Sequence, residues 1–325
     1  MSRDAGEFDL IARIRARVGE RADVVLGIGD DAAVLTVPAD RQLVVAMDTL
    51  NAGVHFPAET APADLGWKAL AVNLSDLAAM GALPAWCTLS LSLPEGDAAF
   101  VDGFLDGFLS LAVAYDVALV GGDTTRGPLS VCVTVHGFVE PGRALRRAGA
   151  QVGDDVWTSG TLGDAAAALV RWRAGVAVEP ALRGRLDRPA PRVALGRGLV
   201  GLAHAAVDVS DGLVADLGHV CVASGVGAQI DVDALPASDA LLAGFDGDLR
   251  RELQATGGDD YELCFTASVS VRDAVEDAAR DAGVSVKRIG RIVAGEGVAA
   301  STEGGIAWTA HVGGYRHFRG DDAGR

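Results

Sequence analysis

A chain of 325 residues, half of them hydrophobic and 22% charged, excludes a disordered protein and exceeds the size at which one core stops growing, so two domains are expected. The formal net charge of -16 sets a field that repels nucleic acid and anionic lipid, and neither is expected as a partner. The first residues, MSRDAGEFDLIARIRARV, mix charge with apolar side chains, unlike a signal peptide, and no later run is apolar enough to span a bilayer; a cytoplasmic protein is expected.

Apolar residues Phe8, Leu10, Ile11, Ile14 and Val18 recur at helical spacing and predict an amphipathic helix over 7–18. Strands are then predicted at 24–28 and 43–47, a helix at 62–80, a strand at 85–93, a helix at 98–115, and strands at 117–120 and 129–139. Pro141, Gly142, Gly149 and Gly153 punctuate an arginine-rich stretch, and a domain boundary is expected there, dividing the chain into 1–140 and 141–325. Beyond it come a strand at 155–159, helices at 164–174 and 193–203, and strands at 229–232, 261–266 and 285–292. The fold class is α/β or α+β. Cys87, Cys132, Cys221 and Cys264 form no CxxC pair and have no histidine at zinc-ligand spacing, so reduced thiols are expected.

The chemistry-bearing pattern is where the aspartates fall. Apolar runs end in acidic turns at VVLGIGDD (Asp30, Asp31), LVVAMDT (Asp48), VALVGGDTT (Asp123) and AAVDVSDG (Asp208, Asp211), while Asp76 ends NLSD inside a predicted helix. Singly, each is most simply a turn or cap residue. Together they match the position beyond the carboxyl ends of strands where open α/β sheets bind ligands. Two carboxylates about 4 Å apart repel by roughly 4 kcal/mol at an effective dielectric near 20, so convergence calls for a cation. An all-oxygen donor set suits magnesium, which keeps coordination positions open for phosphates.

Paired glycines precede three of the acids: Gly27 and Gly29 before Asp30, Gly121 and Gly122 before Asp123, Gly257 and Gly258 before Asp259. They leave room for a phosphate to approach the backbone. There is no GxxxxGK[ST] loop and the lysines are Lys68 and Lys287 alone, which excludes a P-loop enzyme. Arg126, Arg143, Arg146 and Arg147 are candidate phosphate ligands or surface residues, and His55 is a loop residue or a substrate contact. AVNLSDLAAMGA at 71–82 is similar to AVDVSDGLVADLGH at 206–219, through duplicated chemistry or chance.

In order, GEFDLIARI, LGIGDDAAV, DTLNAGVHF, KALAVNLSDLAAMGA, GGDTTRGPLS, GRALRRAG, DVSDGLVADLGH, GGDDYELCF and GGYRHF closely resemble the thiamine-monophosphate kinase family, of the superfamily that includes aminoimidazole ribonucleotide synthetase. The resemblance implies phosphorylation of thiamine monophosphate to thiamine diphosphate by ATP, the last step of that cofactor's synthesis. It implies two α/β domains, the amino-terminal sheet pairing across a homodimer. By motif, Asp31, Asp48, Asp76, Asp123 and Asp208 would hold several magnesium ions, Asp211 a further one, with Asp30 assisting. Gly121, Gly122, Arg147 and Ser210 match nucleotide-binding positions, and His55, Asp259 and Tyr315 match substrate contacts, with Trp308 a further aromatic candidate.

The sequence departs from the family pattern at Ala46 and Met47, where hydroxyls are common, so Met47 would contribute through its backbone carbonyl. It departs again at Asp259, where Glu is usual. The reaction implied is in-line transfer with no covalent intermediate and no general base, since a phosphate oxygen is already ionised near neutral pH. Rival expectations are another ATP-using member of the superfamily or a non-catalytic cation or nucleotide binder. Selenide chemistry would call for a reactive Cys near the amino terminus, and the first here is Cys87; a carbamoyl-handling relative would be expected to end in a cysteine-bearing tail, and this sequence ends RGDDAGR.

Overall fold

The structure, a computed structural model, describes residues 6–310, and the chain separates into two units, Met1–Ala144 and Leu145–Arg325. The first contains α1 (Glu7–Arg17), β1 (Val24–Leu26), β2 (Val34–Leu35), β3 (Gln42–Asn51), α2 (Pro62–Ala79), β4 (Leu83–Leu93), α3 (Ala98–Ala114), β5 (Ala118–Arg126) and β6 (Ser130–Val139). Local chemistry sets the ends of these elements. Pro62 opens α2 with its backbone angle already helical, and the Asp97 carboxylate caps α3 by accepting from the N–H groups of Ala99 and Phe100. α1 carries acids in its first turn and arginines in its last, as the helix dipole favours. It docks on α3 through Arg13–Asp102 and Arg17–Asp106.

β3, β6, β4 and β5 form a four-stranded sheet in that order. The first two pairings are antiparallel and β4–β5 is parallel; a parallel pair needs a crossover, which α3 supplies. α2 is apolar on nearly every side and buried accordingly. On the opposite sheet face Trp86 and Phe138 pack edge to face at 5.0 Å, beside Val24, Ala33 and Leu35 of the β1–β2 segment.

The second unit contains β7 (Asp155–Ser159), α4 (Asp164–Arg173), α5 (Pro180–Asp187), α6 (Val193–Gly198), β8 (Ala203–Asp208), α7 (Leu213–Ser224), β9 (Gly227–Asp231), α8 (Asp239–Gly244), α9 (Gly247–Thr256), β10 (Leu263–Ala267), α10 (Arg272–Asp281), β11 (Val286–Val293), β12 (Gly297–Ser301) and β13 (Ala307–Trp308). Its seven-stranded sheet runs β13-β12-β9-β11-β7-β10-β8 and is antiparallel except where β12 meets β9. Every residue of β7 and β10 is buried, as in strands covered on both faces. No helix among the described residues is long and apolar enough to cross a membrane.

The expectation that apolar runs stop in acidic turns is corrected at two sites. β3 continues to Asn51, with Asp48 opposite Val133, and β5 continues to Arg126, with Asp123 opposite Ser90. Both acids therefore lie inside strands. Backbone ladders, unlike hydrophobic periodicity, do not stop at a polar side chain. The predicted helix at 193–203 ends early, at Gly198, and Ala203 begins β8. The two similar segments differ in structure: Asp76 stands within α2, whereas Asp211 lies in the connection between β8 and α7.

α2 and α3 approach so closely that a Cβ at Gly66 would overlap the Phe104 carbonyl, and one at Gly107 the Ala63 carbonyl. Gly107→Ala is therefore expected to destabilise the protein by about 2 kcal/mol through overpacking, read as a lowered midpoint in urea unfolding. An unchanged midpoint would contradict this packing.

Candidate functional site

In the first unit two of the acids, Asp48 and Asp31, are anchored through their main-chain N–H groups. The Asp48 N–H donates to the side-chain oxygen of Asn73 at 2.9 Å, and the Asn73 amide donates in turn to the Ala69 carbonyl at 2.9 Å. Asn73 is fully buried, so both of its bonds form where an unmade one would be costly. Asp76 follows three residues later on α2 and shares the Asn73 face. Asp31 donates its N–H to the Asp30 carboxylate at 2.9 Å, and both side chains are exposed.

Strand register separates Asp48 from Asp123. Asp48 aligns through Val133 and Leu89 with Gly122, one residue short of Asp123, so alternation puts the two acids on opposite faces. β3 and β5 are also the two edges of the sheet, three interstrand steps or roughly 14 Å apart. Gly122 has a φ of 149°, and a Cβ there would overlap the Leu89 carbonyl. This glycine is demanded by β4 itself, whatever binds beside it.

His55 sits in a turn after β3. Its Nδ1 accepts from the Asn51 N–H at 2.9 Å, which fixes the ring proton on Nε2 and makes that nitrogen a donor. The buried Lys68 ammonium donates to the His55 carbonyl at 3.2 Å.

In the second unit one carboxylate organises the acidic loop. Asp216, in the first turn of α7, is buried, and its Oδ2 accepts from three successive N–H groups, those of Ser210, Asp211 and Gly212, at 3.0, 3.1 and 3.1 Å. Burial, reinforced by the charges of Asp208 and Asp211, pushes the Asp216 carboxyl up to about 7. Asp208 ends β8 and is buried. The residue 257–262 segment stacks on this loop: the Asp259 N–H donates to the Ser210 carbonyl at 2.9 Å and the Tyr261 N–H to the Val209 carbonyl at 2.8 Å.

Ser224, at the far end of α7, secures the arginine loop. Its hydroxyl accepts from the N–H groups of Gly149 and Ala150, each at 3.1 Å, and donates to the Arg147 carbonyl at 3.2 Å. The Arg146 carbonyl accepts from the Ala206 N–H at 2.9 Å. Arg143, Arg146 and Arg147 are exposed. Arg126 is exposed too, with its Nε donating to the Pro94 carbonyl at 3.3 Å. Trp308 packs partly buried against the core of the second unit, and Tyr315 lies outside the described residues.

Among the described residues no three Asp, Glu, His or Cys side chains stand close enough to hold one metal ion. Sequence reasoning missed Asn73, Asp216 and Ser224. A polar residue interrupting an apolar helix, in AVNLSD, was the available signal for Asn73, and an acid in a helix's first turn the signal for Asp216. Ser224 had no local signal, because the loop it secures is 74 to 77 residues away.

The chain is similar to known proteins over most of its length. The family models "AIR synthase related protein, N-terminal domain" and "C-terminal domain" match residues 29–139 and 151–303. A curated thiamine-monophosphate kinase from Salmonella typhimurium is 48% identical over 319 residues, spanning 96% of this chain and 98% of the relative. The crystal structure of thiamine-monophosphate kinase from Stenotrophomonas maltophilia K279a superposes with a TM-score of 0.86 at 57% identity, covering 94% and 98% of the two chains. AaThiL, solved in complex with AMPPCP and TMP, gives 0.76 at 34% identity over 96% and 97%.

Asp216 predicts a pH dependence. An aspartate titrates near 4 in an unfolded chain, by the usual value, and Asp216 at about 7 in the folded one. The folded state thus holds the proton more tightly, and the stability this gives is complete below about pH 4 and lost as pH rises through about 7. With a chelator present, Asp216→Asn is expected to flatten the decline in melting temperature over that window relative to the parent. Parallel curves for the two proteins would refute the assignment.

Proposed function

We propose, for a chain that belongs to the thiamine-monophosphate kinase family of AIR synthase related proteins, that it transfers the γ-phosphoryl group of ATP to thiamine monophosphate, giving thiamine diphosphate and ADP. The observation that carries this is a likeness running the length of both chains, at 48% identity to a relative of that name. The AaThiL complex with AMPPCP and TMP supports an ATP site and a thiamine monophosphate site in the same fold.

In this reading a phosphate oxygen of thiamine monophosphate attacks the γ-phosphorus in line while the bond to the β,γ-bridging oxygen breaks and ADP leaves. The acceptor oxygen is already ionised, so no base is required of the protein. Arg147, on the loop secured by Ser224, grips nucleotide oxygens, and Ser210, Gly121 and Gly122 bring main chain and hydroxyl to the nucleotide. The Nε2–H of His55 donates to the substrate, and Asp259 and Tyr315 contact it further.

The donor set fits magnesium: Asp30, Asp31, Asp48, Asp76, Asp123, Asp208, Asp211 and the Met47 carbonyl offer oxygen alone. Asp216, whose carboxyl is raised first by burial and then by Asp208 and Asp211, braces the loop that carries Asp211. Bound magnesium supplies neutralisation of the charge that develops on the transferred group. We assign ATP, magnesium and dimer contacts to residues 1–140, and further nucleotide and substrate contacts to 141–325.

A homodimer is supported by the edge strand β3, whose alternate residues Leu43, Val45 and Met47 are 43%, 54% and 62% exposed. An apolar stripe on an unpaired edge needs a cover, and register puts Asp123 on the same sheet face. A cytoplasmic location is supported by Cys87, Cys132, Cys221 and Cys264, all free thiols.

A coupled ADP assay across thiamine, thiamine monophosphate and aminoimidazole precursors, with and without magnesium, tests the substrate and the metal together. Turnover is expected with thiamine monophosphate and magnesium only; ATP binding without turnover on it would overturn the reading. Asp48→Asn and Asp123→Asn should each cut turnover by orders of magnitude with an unchanged circular dichroism spectrum, and near-parental rates would remove these residues from the site. Val45→Lys should shift the mass in light scattering from twice that of one chain to that of a single chain. A parent already at single-chain mass would sink the dimer.

A further inference from the structure

Two of the three non-glycine residues with positive φ among the described residues fall within three positions, Asp259 at 69° and Tyr261 at 51°. The left-handed region is uncommon for aspartate and a true outlier for a bulky side chain such as tyrosine. A backbone held there is maintained by its surroundings, and such strain gathers at sites that bind.

The surroundings are unusually well built. Besides the main-chain bonds to Val209 and Ser210, the Val209 N–H donates to the Glu262 carbonyl at 2.7 Å, so the segment is laced to the 208–212 loop in both directions. The buried Asp260 carboxylate accepts from the Gly163 N–H at 3.0 and 2.9 Å. Glu262, fully buried, pairs with Arg185 at 2.7 Å and with the Nε and Nη2 of Arg192, and accepts from the Ser159 hydroxyl at 2.5 Å. A buried carboxylate with two guanidiniums and a hydroxyl is an anchor that does not slide, since any lost partner would leave charge unpaired. Nothing in the phosphoryl transfer uses Asp260, Glu262, Arg185 or Arg192.

This anchoring fixes one side-chain contact. The Tyr261 ring is 8% exposed, and its hydroxyl donates to the Asp259 Oδ1 at 3.1 Å. Two left-handed residues flanking Asp260 turn the chain back on itself, so that position 261 can reach the carboxylate at 259. A carboxylate cannot recognise a phosphate oxygen directly; its complement is the cationic thiazolium ring or the amino group on the pyrimidine of the substrate.

We propose that Tyr261 is a positioning residue that aims the Asp259 carboxylate at the organic end of thiamine monophosphate, with the strained 259–261 segment anchored through Glu262, Arg185 and Arg192 for that purpose. The proposal rests on the kinase reading and on Asp259 as its substrate contact.

The test is Tyr261→Phe, which removes one hydroxyl and keeps the ring that fills the buried site. The KM for thiamine monophosphate is expected to rise about 3- to 10-fold, the scale of one ordinary hydrogen bond, with the KM for ATP and kcat unchanged. In an Asp259→Ala background the same substitution should have no further effect, because its partner is gone. Unchanged KM in the single variant, parallel rises for both substrates, a fall in kcat alone, or full additivity in the double variant would each overturn the proposal. Calorimetric titration of thiamine monophosphate in the presence of AMPPCP reads the same ratio without turnover. A parent that binds thiamine monophosphate but does not phosphorylate it therefore defeats the kinase reading alone, and the Kd ratio still decides the role of Tyr261. A parent that does not bind it overturns both.

Discussion

The second unit turns on one oxygen. The Oδ2 of Asp216 gathers the N–H groups of Ser210, Asp211 and Gly212, and with them sets the course of the chain between the end of β8 and the start of α7. Three donors converging on a single acceptor leave the loop little freedom, and the acceptor is carried by a helix packed into the core of its unit. The arrangement costs something electrically: a buried acid sits beside two others and responds by holding its proton more tightly. On the proposed reading, a bound cation would offset that charge imbalance. The 257–262 segment then lies on the fixed loop, so its left-handed residues inherit a position already decided by Asp216.

The first unit solves the same problem with neutral groups. Asp48 is set by an amide, Asn73, which satisfies both the strand's outward N–H and the carbonyl of its own helix. Lys68, one of two lysines in the chain, donates to the His55 carbonyl, and so steadies the histidine's backbone. In both units the supports named act on main-chain N–H groups.

Much of this was legible in the sequence, in proportion to how local the physics is. The long elements α2, α3, β4 and β6 follow from periodicity and from Pro62 and Asp97 at helix starts. The true extents of β3 and β5 did not, because their distal halves are held by backbone pairing to β6 and β4 and carry polar side chains that read as turns. Strand order is a matter of chain return in space and left no mark on the sequence. The acids themselves stood out; the residues that hold them did not. Asp216 was one more acid in an acidic chain, and Ser224 acts on residues that sequence distance hides.

With 44 acids against 28 lysines and arginines, the chain's overall field opposes a polyphosphate, and several of its arginines are committed elsewhere: Arg185 and Arg192 to Glu262, Arg272 to Asp155, Arg251 to Asp233 and Asp248. A protein that bound nucleotide by guanidinium alone would not commit them so. These four arginines serve structure, and on the proposed reading the aspartates would meet phosphate through divalent cations standing between the two sets of negative charge. Specificity for the organic part of a substrate is then a separate task, to be met by groups whose direction the fold fixes in advance, and the strained segment at Asp259 has the construction that such a task requires.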